Sequence, residues 1–193
     1  YSKRTVDIEY HTPFGWKELY GLAYRTNFDL RNHMEKSGQD LRYLDPVTNE
    51  KFIPHVIEPT FGLSRSVLMV LLDAYHEEQA PTAEGESETR VVMKFAAPLA
   101  PYQVAILPLS AKLNDEAKKV WDLVSQKFTA DFDVTASIGK RYRRQDEIGT
   151  PYCVTFDFDS LEDKKVTIRD RDTMEQERVG IENLVAVLKV KLS

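Results

Sequence analysis

Apolar and polar residues alternate along the first part of this chain in a pattern that is typical of β strands. Strands are expected at residues 4–10, 14–24, 41–44 and 51–57. A helix is expected over residues 28–36, because Asn27 can cap its start and Gly38 can end it. The composition of residues 45–50 predicts a turn. The first part of the chain is therefore predicted to be a sheet with one short helix.

A longer apolar segment follows the fourth predicted strand. Residues 65–75 carry apolar side chains at helical spacing and beyond it, so this helix is predicted to be buried on nearly all sides. Residues 76–88 are acidic, contain Pro81 and Gly85, and have almost no apolar content. This composition indicates a flexible surface insertion or linker.

The second half of the chain has a more regular pattern. Pro98 and Pro101 bracket a short rigid joint, so the predicted domains are residues 1–97, which include the acidic linker, and residues 98–193. Strands are expected at residues 89–95, 103–109, 132–135, 152–158 and 165–169. Helices are expected at residues 115–128, 138–145 and 181–191, with a turn or helix from Thr173. Beyond Pro101 this order implies an α/β sandwich around a mixed sheet.

Composition places the chain among globular proteins, with 193 residues of which 42% are hydrophobic and 30% are charged. No run of 18 apolar residues occurs, so no membrane-spanning helix is expected. The single cysteine, Cys153, excludes an internal disulfide, suits a reducing cytoplasm and lies in a predicted buried strand. The four histidines lack metal-ligand spacing, so no metal site is predicted. The chain begins without methionine, and we interpret it as a piece of a longer protein.

The net charge of −5 argues against a protein that binds nucleic acid by bulk charge alone. A local basic segment nevertheless lies at residues 139–144 (GKRYRR), where Tyr142 stands among four cations and can either stack on a base or join the core. Helical spacing places three of the cations on one side: Lys140, Arg143 and Arg144. Arg141 lies on another side, where it can pair with Asp146 or Glu147. Two interpretations stay open, a surface for RNA phosphates and a solvated cluster of ion pairs.

The junction between the strand over residues 51–57 and the helix over residues 65–75 carries the most specific string of the chain, VIEPTFGLSR. It places Glu58, Thr60 and Arg65 together, and the planar guanidinium of an arginine at a helix start suits a phosphate. This string resembles motif 3 of class II aminoacyl-tRNA synthetases, and its EPTFG part resembles glycyl-tRNA synthetases. Taken alone, a plain strand–turn–helix connection with Arg65 in a surface ion pair is an equal alternative.

The second half strengthens this resemblance. Residues 99–109 resemble the opening strand of the class IIa anticodon-binding domain, and residues 136–149, 150–159 and 166–174 are similar to the C-terminal domain of bacterial dimeric glycyl-tRNA synthetases. The resemblance covers most of residues 14–193 apart from the acidic linker. The fold that it implies is α/β (α+β), with part of the antiparallel catalytic sheet of a class II synthetase followed by an anticodon-binding domain with a mixed sheet.

The resemblance also implies three sets of site residues. ATP would contact Glu18, Leu19, Gly62, Leu63, Ser64 and Arg65, of which Glu18 and Arg65 would be catalytic. Glycine would contact Glu58, Pro59, Thr60, Phe61 and Gly62. The tRNA would contact Lys140, Arg141, Arg143, Arg144, Arg169 and Arg171. Asp170 and Asp172 can equally hold the last two arginines in place. A Mg²⁺ ion would accompany ATP, because this ion bridges phosphates and carboxylate oxygens.

The activity that the resemblance implies for the whole protein is that of a glycine–tRNA ligase. Glycine and ATP would form glycyl-adenylate, and glycine would then pass to tRNA(Gly), in a cytoplasmic homodimer. Motifs 1 and 2 of the family are not in these residues, so the chain alone is expected to be inactive. The alternative is a non-catalytic nucleic-acid-binding or accessory protein on a synthetase-like scaffold. The presence of Glu18, Glu58 and Arg65 favours the enzyme.

Overall fold

A computed structural model describes residues 1–81 and 87–193 of the chain. The residues form two compact units, Tyr1–Leu72 and Asp73–Ser193. Residues 73–97 therefore group with the second unit, whereas the sequence places the domain boundary at residue 97.

The first unit is built on a three-stranded antiparallel sheet in the order β1-β2-β5. Its strands are β1 (Arg4–Thr12), β2 (Gly15–Thr26) and β5 (Val56–Phe61). Gly15 begins β2 with a φ of 92°, a backbone conformation that glycine adopts without strain. The Thr12 hydroxyl donates to the Gly15 carbonyl over 2.8 Å and closes this tight turn. The expected antiparallel sheet is confirmed.

Two smaller elements complete the connection between β2 and β5. Helix α1 (Phe28–Ser37) ends at Gly38, whose φ is 71° and whose amide donates to the Met34 carbonyl, as the sequence predicts. Strands β3 (Tyr43–Leu44) and β4 (Lys51–Phe52) form a short hairpin. The predicted strand over residues 51–57 is thus divided into β4 and β5, and Pro54, which has no backbone N–H to donate, lies in the gap.

Helix α2 (Leu63–Ala74) follows β5 directly, but the prediction that it is buried on nearly all sides is wrong. Ala74 is its only buried residue, while Val67, Leu68 and Leu71 are exposed. The reason is that the three-stranded sheet can cover one side of the helix at most. An apolar helix needs neighbours all round before it is buried all round.

The second unit begins with a hairpin of β6 (Tyr75–Pro81) and β7 (Ser87–Met93). The prediction of a flexible linker over residues 76–88 is therefore wrong for residues 76–81 and 87–88, and residues 82–86 lie outside the described part of the chain. The hairpin is polar because most of its side chains are exposed, while Ala80, Arg90 and Val92 are buried. A strand with one solvated face needs few apolar residues.

The rest of the second unit is a five-stranded mixed sheet in the order β12-β11-β10-β8-β9. Its strands are β8 (Val104–Pro108), β9 (Ala130–Phe132), β10 (Tyr152–Phe156), β11 (Lys165–Asp170) and β12 (Gln176–Gly180). Strand β8 pairs in parallel with β9 and β10, and β10, β11 and β12 are antiparallel. The predicted mixed sheet is confirmed. Strand β12 was not expected, since its sequence QERVG is mostly polar and exposed.

Helices cover both faces of this sheet, as in an α/β sandwich. They are α3 (Asn114–Ser125), α4 (Ile138–Ile148), the single turn α5 (Ser160–Asp163) and α6 (Leu184–Lys191). The main core joins one face of the sheet to α3 and α6 through residues such as Val104, Ile106, Val124, Val154 and Leu188. The other face packs Ala105, Leu107 and Cys153 against Ile138 and Tyr142 of α4. Burial raises the pKa of the Cys153 thiol, which is a core residue as expected.

In the described part of the chain, no helix combines the length and the apolar content that crossing a membrane requires.

Candidate functional site

A cavity of about 470 Å³ lies beside β2 and α2 in the first unit. Its lining includes Thr12, Lys17, Glu18, Leu19, Arg65 and Met69. Arg65 Nη1 donates to the Glu18 carbonyl over 3.0 Å and lies 3.5 Å from Glu18 Oε1. Both side chains are about half exposed, so they remain accessible to a ligand. The structure therefore brings together three of the predicted ATP residues: Glu18, Leu19 and Arg65.

The pairing of β2 with β5 explains why Arg65, which follows β5, lies beside Glu18 near the start of β2. The two strands are antiparallel, and Phe61 at the end of β5 pairs with Tyr20. Gly62 then turns the chain into α2, and the Ser66 hydroxyl donates to the Gly62 carbonyl over 2.9 Å. The Tyr20 and Ser66 hydroxyls are also 2.9 Å apart. The first turn of α2 is thus held over β2, which places Arg65 beside Glu18.

The residues predicted to bind glycine lie on β5 and, in the case of Gly62, directly after it, and none of them lines this cavity. Glu58 and Thr60 share one face of the strand, because alternate strand residues point the same way. Phe61 points to the opposite face, where its ring packs edge-on against Tyr20 at 4.9 Å. Residues Glu58, Pro59, Thr60 and Phe61 are all exposed. Leu63 and Ser64 are exposed at the start of α2, and they do not line the cavity either.

Glu58 has a partner that sequence reasoning did not assign. Arg25 Nη1 donates to Glu58 Oε2 over 2.9 Å, and the same guanidinium donates through Nε and Nη2 to Asp29. The Arg25 guanidinium lowers the pKa of the Asp29 carboxyl. The sequence carried no clear signal for this cluster, because Arg25 lies on β2 and Asp29 lies in α1, so the helical spacing rule does not apply. Glu58 joins the cluster from a strand that is distant in sequence.

A second candidate site lies along α4 in the second unit, beside a groove of about 740 Å³. Its lining includes Glu88, Lys140, Arg143, Arg144, Arg169 and Gln176. Three of these cations lie on the side of α4 that helical spacing predicted: Lys140, Arg143 and Arg144. Lys140 is exposed and makes no ion pair with any described residue.

The two groove arginines of α4 already have acidic partners. Arg143 Nε donates to Glu88 Oε1 over 2.9 Å, and its Nη2 contacts the same oxygen. Arg144 Nη1 donates to Asp133 Oδ2 over 2.5 Å. The Arg143 and Arg144 side chains remain 29% and 41% exposed, so each can still reach a phosphate at the groove.

The other three arginines of the predicted RNA set are buried and hold the unit together. Arg141 Nη1 donates to the Pro108 carbonyl over 2.7 Å and to the Asp133 carbonyl over 3.0 Å. Arg171 Nη1 donates to two backbone carbonyls, and its Nε and Nη2 bind Asp172. The predicted pairing of Arg141 with Asp146 or Glu147 is wrong, because the backbone carbonyls hold its guanidinium. The second interpretation of Arg171, as a structural partner of Asp172, fits its contacts.

Arg169 is buried and Tyr142 is partly buried, and both lie at the inner side of the groove. Arg169 donates to both oxygens of Asp146, over 2.9 and 3.2 Å, and its guanidinium lies 4.8 Å from the centre of the Tyr142 ring. The Tyr142 hydroxyl is 2.5 Å from Thr155 Oγ1, and burial raises the pKa of this tyrosine. The hydroxyl contact and the arginine over the ring fix Tyr142 in place, so it fits a role in packing.

Comparison with known proteins shows what the chain as a whole resembles. Residues 103–191 match a family model described as an anticodon binding domain. Glycine–tRNA ligases of Staphylococcus aureus, strains JH9 and Newman, are each 61% identical to this chain over 191 residues. The match covers 99% of this chain and 41% of each ligase, so the chain spans less than half of the length of these relatives.

Proposed function

We propose that this chain, a homologue of glycine–tRNA ligase with an anticodon-binding domain, is the C-terminal part of such an enzyme. The whole protein would activate glycine with ATP to glycyl-adenylate and transfer the glycine to tRNA(Gly), as a cytoplasmic homodimer. The observation that carries this proposal is the 61% identity over 99% of the chain, which spans the cavity at Arg65 and the groove at α4 alike.

In the first unit, Arg65 and Glu18 would act on ATP. The Arg65 guanidinium would bind a terminal phosphate, and catalysis in such a site consists mostly of positioning and charge stabilisation. Residues 1–81 and 87–193 contain no cluster of three or more acidic, His and Cys side chains that could hold a metal ion by itself. A single carboxylate such as Glu18 still fits a Mg²⁺ ion that arrives with the phosphates, since that ion is usually held by one or two carboxylates plus substrate oxygens.

Glycine would be bound on β5 next to this cavity. The Glu58 carboxylate would pair with the ammonium group of glycine, and the Thr60 hydroxyl lies on the same strand face. Pro59, Phe61 and Gly62 would shape the pocket, and Leu63 and Ser64 would complete the ATP side. Arg25 binds one oxygen of the Glu58 carboxylate, so the ammonium group would bind the other oxygen.

In the second unit, the groove along α4 would receive the anticodon loop of tRNA(Gly). Lys140, Arg143 and Arg144 would contact its phosphates, since cations neutralise the backbone of single-stranded RNA loops. Arg141, Arg169 and Arg171 would support the groove from inside the unit, and we do not assign them to RNA contacts.

The test is glycine-dependent exchange of pyrophosphate into ATP by the full-length protein that contains this chain. Arg65→Ala should lower the exchange rate by about 10²–10³, because a charge that stabilises the transition state is lost. Arg42→Ala is a matched control, since Arg42 pairs with Asp40 on the surface of the same unit and does not line the cavity.

Equal exchange by both variants would reject the role of Arg65. A full-length protein with no exchange at all, but with binding of tRNA, would favour the accessory protein instead. The 193-residue chain alone should show no exchange, because motifs 1 and 2 are expected in the rest of the protein. Exchange by this chain alone would contradict that expectation.

A further inference from the structure

The β6–β7 hairpin lies outside the residues that match the anticodon-binding family model, but it belongs to the same compact unit. Alternate residues of β7 face the same way, and Glu88, Arg90 and Val92 all lie on the side that is turned to α4. Arg90 and Val92 are fully buried there. The hairpin is therefore packed into the unit along one face of β7.

Arg90 fixes the hairpin to α4. Its Nη1 donates to Asp146 Oδ2 over 3.3 Å, and its Nη2 donates to the Arg171 carbonyl over 2.8 Å and lies 2.6 Å from Glu78 Oε1. Asp146, on α4, is itself fully buried and also binds Arg169. Buried charges that lose a partner are costly, so these contacts hold β7 and α4 in one arrangement.

Two residues before Arg90, the same strand face presents Glu88 to the groove. Glu88 Oε1 accepts from both Nε and Nη2 of Arg143, and both side chains line the groove. Because Arg90 holds β7 against α4, the backbone of Glu88 is fixed beside the groove and its carboxylate lies within reach of Arg143.

The charge of Glu88 changes what the groove can bind. A groove with an uncompensated Arg143 would attract any RNA phosphate, because backbone contacts carry no sequence information. A carboxylate beside that arginine repels the phosphate groups of RNA. An RNA that binds at Arg143 must therefore displace this carboxylate or bind in spite of the repulsion. This unfavourable charge weakens the binding of any RNA that contacts the groove only through its phosphates. An RNA whose bases make additional contacts can offset that loss, so the charge favours it over other RNA.

We propose that strand β7 is part of the RNA-binding surface, and that Glu88 holds Arg143 so that the groove selects an anticodon loop over other RNA. This inference rests on the proposed function of the second unit. Glu88 is the residue that determines the specificity of the groove in this inference.

The experiment measures binding of two fluorescein-labelled RNA hairpins to the 193-residue chain over a range of salt concentrations. One hairpin has a seven-nucleotide loop with a glycine anticodon, and the other has the same stem with a loop of uridines. Glu88→Gln should bind the uridine loop at least threefold more tightly, and the ratio of the two affinities should fall. The slope of log K against log salt should steepen by about 0.7, as one further phosphate contact forms.

Two further variants test whether the effect comes from the charge of Glu88 at its place in the groove. Glu77→Gln removes the same charge from an exposed residue of the same hairpin that does not line the groove, and it should leave the ratio and the slope unchanged. Glu88→Asp keeps the charge and should keep the wild-type ratio. Because the Glu88 side chain is 49% exposed, the melting temperatures of these variants should match that of the wild type.

An unchanged ratio and slope in Glu88→Gln would overturn the inference. Weaker binding of both RNAs would overturn it too, since Glu88 would then contact RNA favourably instead of restraining Arg143. If the wild-type chain shows no preference for the anticodon loop, the proposed function of the second unit fails, and that outcome is visible before any variant is made.

Discussion

The two units of this chain differ sharply in how much apolar surface they bury. In the second unit, all five residues of β8 are buried, and helices cover both faces of its sheet. In the first unit, whose residues 1–72 are all described, only Thr12 and Leu19 are buried. Large apolar side chains such as Ile57 and Phe61 are 65% and 71% exposed there.

Similar strand and helix patterns therefore bury very different amounts of apolar surface in the two units. A three-stranded sheet with a helix on one side hides too little apolar area to offset the entropy of ordering its chain. Under the proposal that the chain is part of a longer ligase, the rest of the catalytic domain would cover this surface. The second unit has its own core and needs no such cover.

The largest expected effect follows from separating the units. Residues 73–193 produced alone should unfold in urea with one cooperative transition, because the core and the hairpin contacts are all internal to them. Residues 1–72 produced alone should show no cooperative transition, and their amide NMR signals should be poorly dispersed. A sharp urea transition for residues 1–72 would show that the first unit is stable in spite of its exposed apolar residues.

Two Leu→Ala substitutions, one in each unit, compare the packing of the units at single residues. Leu107→Ala removes a fully buried side chain from the second unit and should lower the free energy of unfolding by about 2–5 kcal/mol. Leu68→Ala removes the same atoms from α2, where the side chain is 44% exposed, and should cost less than about 1 kcal/mol. Urea denaturation of the whole chain, followed by circular dichroism, measures both. Equal losses would mean that Leu68 is as well packed as Leu107.

The sequence predicted most of the second unit because its core strands and helices repeat apolar residues at clear periods. It predicted the sheet of the first unit equally well, but not the exposure of α2, since periodicity reports which face is apolar and not what covers it. The hairpin was missed because the strands β6 and β7 are mostly polar. A charged strand that is anchored by one buried arginine, Arg90, has the same composition as a flexible linker.

The sequence was also limited in what it could predict about single side chains of the candidate sites. The family resemblance assigned Arg65, Glu18 and Leu19 to one site, and the pairing of β2 with β5 together with the turn into α2 brings these three residues to one cavity. Helical spacing placed Arg141 on a different side of the helix from Arg143, but it could not identify the partner of either residue. Those partners are distant in sequence, such as Pro108 for Arg141 and Glu88 for Arg143. Composition and spacing along the helix do not contain those contacts.

The smallest expected effect concerns acid stability, and it tests whether the second unit gains from its surface charges as well as from its core. Arg178 on β12 donates to Asp157 over 2.7 Å and to Asp163 over 2.9 Å. The Arg178 guanidinium lowers the pKa of Asp157 from 3.8 to about 2. Because the pKa in the folded state is the lower one, the stabilisation is complete above about pH 4 and is lost as the pH falls towards 2.

Arg178→Gln should therefore reduce the free energy of unfolding of residues 73–193 by roughly 1–2 kcal/mol near neutral pH, after allowance for solvent screening. The difference from the wild type should shrink below pH 4 and vanish near pH 2, because protonated Asp157 no longer attracts the guanidinium. Lys119→Gln is the control, since it removes a positive charge from an exposed pair on α3 and should change little at any pH. Urea denaturation at pH values from 2 to 7 measures these differences. A loss that stays constant across that range would mean that Arg178 stabilises the unit through packing of its side chain rather than through its charge.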